Sequence, residues 1–344
     1  MKEVETIHAE GQILCHDITV IVRDGKKGVA FPKGHVVSEA DIPELLKLGK
    51  DHLYVWEQDG NLCHEDEAAE FLAKLCAGEN VRASGPPKEG KIELFAERDG
   101  LFVLQRESLR AVNDIEELMI AARHGMTPVR AGEKLAGTRV IPLAVAREKL
   151  ERAKAAVGET PLLSVRPFRP LRCGIVTTGN EVFYGRISDT FTPVVEEKLR
   201  EYGSSVVWRE TCPDNGARIV RAIRQMLDAG ADFILTTGGM SVDPDDRTPA
   251  AIRDAGARVV SYGAPVLPGA MLLMGYFDRD GTEIPVMGLP GCVMHDRRTA
   301  FDALLCRVAA GVRIRREDIT ALGEGGLCLQ CPVCTWPRCA FSVL

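Results

Sequence analysis

The segment ILTTGGMSVDPDDRTP (234–249) joins two glycines, a hydroxyl and several carboxylates directly after an apolar run. Gly238 and Gly239 have no side chains, so their backbone N–H groups can approach a ligand closely. Ser241 adds a hydroxyl donor, and hard oxygen ligands follow at Asp243, Asp245 and Asp246. This combination indicates a site for a phosphate and a cation. The alternative is an ordinary turn in which Asp245 or Asp246 caps the next helix.

Two further turns of unusual composition follow apolar runs. TTGNEVFYGRISD (177–189) carries Glu181 and Asp189, and GLPGCV (288–293) opens onto a predicted helix. Helix N-termini and glycine-rich turns favour phosphate and other oxyanions. Carboxylates repel such a ligand unless a cation such as Mg²⁺ lies between them. The three turns together predict a phosphate or pyrophosphate site with a divalent cation.

Strand and helix patterns alternate regularly from residue 172 onward. The strands and helices that they predict must position the three turns. Such alternation predicts an α/β fold with three layers, in which helices cover both faces of a mostly parallel sheet. Ligands of such sheets bind outside the carboxyl ends of the strands, where we expect all three turns. We predict strands at 173–178, 205–209, 232–237, 258–262, 271–277 and 284–288, and helices at 193–202, 216–229, 248–255 and 293–310.

The N-terminal half has a less regular pattern, which predicts a smaller α+β region. We expect a helix after the capping-box-like residues 38–41, a strand at 52–56 and a hairpin around Asp99-Gly100. Further helices are predicted at 65–77, 115–124 and 143–157, and the proline-rich residues 161–170 are the predicted linker. The predicted domains are a β-rich unit (1–60), an α+β region with the linker (61–170), an α/β domain (171–312) and a cysteine-rich tail (313–344).

The chain ends with four closely spaced cysteines in GLCLQCPVCTWPRCAFSVL. Their spacing, C-x2-C-x2-C-x4-C, is one residue longer at the end than a common iron–sulfur pattern. The second hypothesis is a zinc ion bound by four thiolates, and the third is that the cysteines are free thiols without a metal. We predict a metal site, either iron–sulfur or zinc, at Cys328, Cys331, Cys334 and Cys339.

The charge and hydropathy of the chain argue against nucleic-acid and membrane partners. The 344 residues carry a net charge of −6, so no broad basic face is available for nucleic acid. No apolar run approaches the ~18 residues that span a bilayer, and the N-terminus lacks the apolar core of a secretory signal. We therefore expect a cytoplasmic protein without nucleic-acid or membrane partners, in which the seven scattered cysteines are small buried residues.

Taken together, VTTGNEV, GRISD, TTGGMSVDPDD and GLPG resemble the molybdopterin-binding domain. That domain is shared by the molybdopterin molybdenumtransferases (the MoeA and gephyrin E-domain type) and the MogA/MoaB adenylyltransferases, and the motif order is closer to the MoeA type. The resemblance covers residues 170–312 and implies a homodimer with a three-layer α/β domain. It also implies that the chain binds adenylylated molybdopterin and inserts molybdenum from molybdate with Mg²⁺-dependent release of AMP.

The resemblance also implies roles for individual residues. Asp246, Glu181 and Asp189 would be the catalytic carboxylates, and Asp246 and Glu181 would hold Mg²⁺. The ligand would be bound by Thr178, Gly179, Asn180, Gly238, Gly239, Ser241, Gly288, Pro290 and Gly291.

The chain departs from the family pattern at several positions. Asn180 replaces an Asp, Phe191 an Asn, Asp243 a Gly and Ala270 a Lys, while Cys292 follows the Leu-Pro-Gly turn. A missing lysine removes a charge that would stabilise molybdate or a leaving phosphate. Three hypotheses therefore stand: an enzyme of molybdenum cofactor maturation, a non-catalytic carrier of molybdopterin for a molybdoenzyme, and a hydrolase similar to nucleotide pyrophosphatases.

Overall fold

A computed structural model of the protein describes residues 2–21, 27–55, 60–241, 243 and 246–342. The strands are, in chain order, β1 (Lys2–Glu5), β2 (Ile18–Ile21), β3 (Lys27–Phe31), β4 (His52–Val55), β5 (Leu62–His64), β6 (Val81–Ala83), β7 (Lys91–Ala96), β8 (Gly100–Leu104), β9 (Leu118–Ala122), β10 (Thr127–Val129), β11 (Lys134–Val140), β12 (Ala144–Ala146), β13 (Leu163–Pro167), β14 (Arg172–Thr178), β15 (Ser205–Cys212), β16 (Phe233–Thr237), β17 (Arg258–Tyr262), β18 (Leu273–Arg279) and β19 (Thr282–Leu289).

The α-helices are α1 (Asp41–Lys47), α2 (Glu65–Cys76), α3 (Arg106–Asn113), α4 (Arg147–Val157), α5 (Asn180–Phe183), α6 (Phe191–Arg200), α7 (Gly216–Asp228), α8 (Thr248–Asp254), α9 (Ala300–Ala309) and α10 (Arg316–Thr320). Short 3-10 turns lie at Thr6–His8, Gly291–Met294 and Ala321–Gly323. None of the described helices combines the length and the apolar character that crossing a bilayer requires.

The chain forms two compact units. The first contains residues 1–97, 104–123 and 132–164, and the second contains 98–103, 124–131 and 165–344. The four-part division expected from the sequence stays a prediction.

The first unit is built on an antiparallel sheet with the strand order β6-β7-β11-β9. A smaller core near the N-terminus packs Leu14, Ile18, Leu45 and Leu53 together. The predicted helices near residues 41 and 65 are confirmed as α1 and α2, and α4 begins at Arg147, four residues later than predicted. Trp56, the last residue of one predicted strand, lies outside the described residues.

Two predictions for this half of the chain were wrong. The predicted helix at 115–124 is strand β9, which pairs with β11 from Ala136↔Ala122 to Val140↔Leu118 and buries alternate residues. Sheet pairing decides the conformation of an apolar run that is too short for its period to do so. The predicted hairpin at Asp99-Gly100 does not form, because β7 is already paired on both edges by β6 and β11. In addition, β13 occupies the middle of the predicted linker.

The second unit contains a six-stranded sheet with the order β15-β14-β16-β19-β18-β17. The pairs β14–β15, β14–β16 and β16–β19 are parallel, and β18 and β17 continue the sheet antiparallel. The mixed α/β fold expected from the sequence is confirmed. The chain passes from β14 to β15 on one side and then to β16 on the other, so the sheet changes direction of growth at β14.

Apolar residues fill both faces of this sheet. Side chains alternate along each strand, so neighbouring residues of β14 and β16 enter different cores. One core joins β14 and β16 to α6 and α9 through Ile175, Leu235, Val195, Leu199, Phe301 and Leu305. The other joins them to α7 and α8 through Val176, Ile234, Ile219, Ile223 and Ile252.

Helix α9 begins later than the sequence pattern predicted. Residues Gly291–Met294 form a 3-10 turn, and α9 starts only after Thr299. The Thr299 side chain accepts a hydrogen bond from the Phe301 amide, and Asp302 accepts one from the Thr299 amide. This capping box fixes the start of the helix.

Candidate functional site

A cavity of about 580 Å³ lies at the carboxyl ends of β14, β16 and β19. Parallel pairing brings these three strand ends to one edge of the sheet, which confirms the expected position of the three turns. Nine of the residues predicted for the site line the cavity: Thr178, Glu181, Asp189, Gly238, Gly239, Ser241, Asp246, Pro290 and Gly291.

The first two turns are in direct contact at Gly238. Its φ is +81°, and a Cβ atom there would lie 2.1 Å from the Thr178 carbonyl oxygen. The Thr178 hydroxyl donates to the Thr237 carbonyl oxygen at 3.1 Å and lies 3.0 Å from the Thr248 hydroxyl oxygen. The glycine is therefore needed for contact between turns, whatever ligand the cavity takes.

The third turn is joined to the second through Met240. This side chain is buried, and a Cβ atom on Gly288 would lie 2.5 Å from its terminal methyl carbon. The Tyr262 hydroxyl donates to the carbonyl oxygens of Met240, at 2.8 Å, and Ser241, at 3.2 Å. Burial, and then the negative charge of Asp246, raise the pKa of Tyr262, which keeps the phenol protonated as the donor. Sequence reasoning missed Tyr262, because nothing local marks a strand residue as a support for a distant loop.

Asp189 uses both carboxylate oxygens within the fold. One accepts from the Phe191 and Thr192 amides at 2.9 and 3.1 Å, and the other accepts from the Thr192 and Thr177 hydroxyls. Burial favours a higher pKa for Asp189, but these hydrogen bonds outweigh it and lower the pKa below its ordinary value. Asp189 is therefore an ionised cap on the first turn of α6.

Asp246 and Asp243 are hydrogen-bonded to each other. The Asp243 amide donates to the Asp246 carboxylate at 3.1 Å, and the Asp246 amide donates to the Asp243 carbonyl oxygen at 3.0 Å. Both line the cavity, as does the exposed Glu181. Asp245 lies outside the described residues.

The described lining of the cavity is acidic. It contains the carboxylates of Glu181, Asp189, Asp243 and Asp246, and neither lysine nor arginine. Ala270, which stands where the resembled family has lysine, is part of this lining. Across the described residues, no group of three or more His, Cys, Asp or Glu side chains is arranged to hold a metal ion.

Three residues predicted for ligand binding are not part of the described lining: Gly179, Asn180 and Gly288. Asn180 instead pairs with Asp214 at the end of β15. Its amide donates to the Asp214 carboxylate at 3.0 Å, and the Asp214 amide contacts the Asn180 side-chain oxygen at 3.4 Å. Gly288 is buried under Met240, so its contribution is to packing.

Thr237 is one of the residues that line the cavity, and its hydroxyl is buried and has no hydrogen-bond partner among the described residues. The residue is 1% exposed and lies at the end of β16, one residue before Gly238. The neighbouring Thr236 is also buried with an unpaired hydroxyl, but it does not line the cavity. A buried hydroxyl without a partner costs free energy unless a ligand or water supplies one.

Much of the remaining lining is apolar. These side chains come from all three turns and from the segment after Gly269: Val182, Ile187, Phe191, Met240, Met271, Leu289 and Met294. An apolar wall beside carboxylates and a glycine-rich turn suits a ligand with a flat ring at one end and a charged group at the other.

The four tail cysteines border a second cavity of about 480 Å³. Cys331 and Cys334 are exposed, Cys328 and Cys339 are half-buried, and all four are free thiols. The remaining cysteines are buried except Cys292, which is half-buried and lines the first cavity.

Comparison with known proteins identifies two segments of the chain. Residues 174–310 match the family model described as a probable molybdopterin binding domain, and residues 3–57 match a domain of unknown function (DUF8806). A CinA-like protein of Mycobacterium tuberculosis is 39% identical over 77 residues, which are 22% of this chain and 18% of that protein. A CinA-like protein of Mycobacterium leprae matches to the same extent. The chain thus spans less than a fifth of these relatives.

Solved structures give more distant matches. The tungsten cofactor synthesizing protein MoaB of Pyrococcus furiosus is 21% identical, with 36% of this chain and 84% of that one covered at a TM-score of 0.32. The molybdopterin biosynthesis enzyme MoaB of Thermus thermophilus is 27% identical, with 40% and 89% covered at a TM-score of 0.33. TM-scores this low do not establish a shared fold. The match of residues 174–310 to the family model is therefore the more specific comparison. Residues 174–310, less than half of the chain, are the segment that is similar to the probable molybdopterin binding domain.

Proposed function

We propose that this domain binds molybdopterin, or its adenylylated form, in the cavity at the ends of β14, β16 and β19. The observation that carries the proposal is that one cavity is lined by the Gly238–Ser241 segment, by Thr237, whose hydroxyl has no partner among the described residues, and by an apolar wall. The backbone and hydroxyl groups would receive the phosphate end, and the wall would receive the pterin ring. The family match of residues 174–310 supports the same ligand.

The acidic lining supports a requirement for a divalent cation. A phosphate entering among four carboxylates without a lysine or arginine would be repelled. Glu181 and Asp246 would hold Mg²⁺, because Glu181 is exposed and one Asp246 carboxylate oxygen has no hydrogen bond to the described residues. Asp189 fits this role less well, since both of its oxygens cap α6. The cation would neutralise charge on the phosphate groups.

The proposal has two forms, one in which the chain catalyses a reaction and one in which it only binds the ligand. In the first, the chain acts as a molybdopterin molybdenumtransferase and releases AMP on insertion of molybdenum from molybdate. In the second, it carries the bound cofactor to a molybdoenzyme. The absence of a basic side chain from the described lining favours the carrier, because no fixed cation stabilises molybdate or a leaving phosphate.

The test is incubation of the full chain with adenylylated molybdopterin, molybdate and Mg²⁺. Binding is followed by titration calorimetry, turnover by AMP release and insertion by protein-bound molybdenum. Binding with AMP release and molybdenum uptake supports the transferase, and binding without either supports the carrier. Absence of binding overturns both.

Asp246→Ala tests the placement of the cation. We expect it to weaken Mg²⁺-dependent binding by about tenfold, equivalent to ~1.4 kcal/mol, with little change in stability. Asp189→Ala is the contrasting variant, and loss of the α6 cap should lower the free energy of unfolding by about 0.5–2 kcal/mol. Unchanged Mg²⁺ dependence in Asp246→Ala would count against this carboxylate as a ligand.

A hydrolase acting on a nucleotide pyrophosphate is the second candidate. The acidic cavity favours it, since carboxylates that bind Mg²⁺ also suit hydrolysis of a phosphoanhydride. It predicts release of AMP from a dinucleotide pyrophosphate in Mg²⁺ without molybdate. A chain that cleaves only the adenylylated pterin would exclude this candidate.

A further inference from the structure

The C-terminal residues 324–342, called here the cysteine loop, contain neither a helix nor a strand over their described length. They carry the four cysteines that border the second cavity. The loop is separate from the ligand cavity, whose function does not require these thiols.

One end of the loop is bonded to the rest of the second unit, and the other end is bonded back to the start of the loop. The Cys328 amide donates to the Leu267 carbonyl oxygen at 2.8 Å, and the Ser342 amide donates to the Gly325 carbonyl oxygen at 2.9 Å. Phe341 is 5% exposed within the core, and Cys328 and Cys339 pack against that core. The first and last cysteines are therefore held at the base of the loop.

The middle of the loop is exposed. Cys331 and Cys334 face solvent, and Leu329 and Val333 are 79% and 74% exposed. A segment with so little apolar burial cannot fix its own conformation, and short segments of this kind in other proteins use a metal or disulfide as a crosslink. The loop has thiols at the tip and at the base, and none is in a disulfide.

We propose that Cys328, Cys331, Cys334 and Cys339 bind one metal centre that closes the tip of the cysteine loop onto its base. No metal-binding group of three or more such side chains is preformed in the described chain, so closure includes movement of the exposed tip. Four thiolates suit a soft metal, either a zinc ion or the iron of an iron–sulfur cluster. Each thiol loses its proton to solvent as its metal–sulfur bond forms, and a cluster also requires iron and sulfide as co-reactants.

Arg297 lies where it would compensate part of the negative charge of such a centre, whereas the Arg298 guanidinium is already paired with the carboxylates of Glu201 and Asp302. Arg297 donates to the Pro332 carbonyl oxygen at 3.2 Å, and the Arg298 guanidinium lies 4.6 Å from the Trp336 ring centroid. Both residues border the same cavity as the cysteines. These two contacts tie the loop to the segment that follows Met294.

The experiment measures metal in the full chain after anaerobic purification and after reconstitution with Zn²⁺, or with iron and sulfide. One zinc per chain, or iron with acid-labile sulfide and visible absorption, supports the proposal, and the two results distinguish the metals. Bound metal should also protect all four tail thiols from alkylation, read residue by residue by mass spectrometry. A chain that takes up neither metal and whose tail thiols alkylate equally with and without metal overturns the proposal.

The matched variants are Cys331→Ser/Cys334→Ser and Val333→Ser, all at exposed positions of the loop tip. We expect the double cysteine variant to lose at least nine-tenths of the bound metal, and Val333→Ser to retain it. Equal metal content in the two proteins would place the metal elsewhere and overturn the assignment. Protection of the wild-type thiols gives a separate answer if the double variant does not fold. Ligand binding at the β14–β16 cavity is measured in parallel, so a failure of that function is distinguishable from a failure of the metal site.

Discussion

The threonines that end β16 differ in a way that their sequence does not reveal. Both Thr236 and Thr237 are buried with unpaired hydroxyls, yet only Thr237 lines the cavity. If the cavity binds a phosphate-bearing ligand, the Thr237 hydroxyl is the buried donor that gains a partner.

Thr237→Val should therefore weaken ligand binding without weakening the fold. We expect a loss of ~1–2 kcal/mol in binding, or about 5- to 30-fold in Kd, because valine keeps the shape and removes the donor. Calorimetric titration with molybdopterin gives the affinity, and urea unfolding gives the stability. Thr236→Val is the matched control, with the same change in buried polarity and no change in affinity. Equal affinities for the two variants would remove Thr237 from the ligand site.

The carboxylates show a similar division of roles. All were candidate metal ligands in the sequence, but Asp189 caps α6 with both oxygens, while one Asp246 oxygen accepts no hydrogen bond from the part of the chain that the structure describes. Motif position alone cannot separate these roles, because each depends on which backbone amides the fold places nearby.

At the scale of elements, the contact between the ends of β14 and β16 decides the geometry of the site. Gly238 lies so close to Thr178 that any side chain would overlap its carbonyl oxygen. Gly238 and Gly239 therefore allow the two turns to lie close together, and they also allow a ligand to come close to the backbone.

Gly238→Ala should disrupt this contact. Alanine at positive φ costs ~1–2 kcal/mol, and the overlap with Thr178 should add about 1–3 kcal/mol of destabilisation together with loss of ligand binding. Gly203→Ala is the control, because Gly203 also has a positive φ, +72°, but no atom lies within 4 Å of its Cβ position. Urea unfolding compares the two variants. If they lose the same stability, the contact between the turns contributes nothing.

The elements around the site were largely predictable from the sequence, for a physical reason. Parallel strands covered on both faces are short, apolar and separated by amphipathic helices, so β14, β16 and α7 stand out. Parallel pairing then forces their turns to one edge. Strand β9 was not predictable in this way, because five apolar residues suit either conformation until β11 pairs with them.

The supports of the site were not predictable. Tyr262 reaches the Met240 and Ser241 carbonyls from β17, at the opposite edge strand from β15, and that position depends on the register of two antiparallel pairs. The pairing of Asn180 with Asp214 likewise requires knowledge of how β15 ends.

At the scale of the whole molecule, the first unit contains a buried carboxyl that links stability to pH. Glu65 begins α2 and is 8% exposed. Burial, and then the charges of Asp66 and Glu89, raise its pKa to about 7, although Lys33 and Arg139 oppose the shift. The folded chain therefore holds a proton at pH values where an unfolded glutamate has lost it.

The stability that protonated Glu65 contributes is complete below its ordinary pKa of 4.5 and is lost as pH rises through about 7. Glu65→Gln, which cannot ionise, should flatten the fall in stability across this window and leave the variant relatively more stable above it. Thermal unfolding of both proteins over a pH series measures the difference. Parallel curves for wild type and variant would show that Glu65 does not titrate in this range.

The Gly238–Ser241 segment has one more consequence. It is held by Thr178 on one side, by Gly288 through Met240 on another, and by the Tyr262 hydroxyl on its carbonyls. A ligand that binds this backbone does not have to order it, so little conformational entropy is lost on association. If the proposed divalent cation binds in the cavity, charge neutralisation should therefore contribute much of the affinity, and the supply of that cation would set how much of the protein holds ligand.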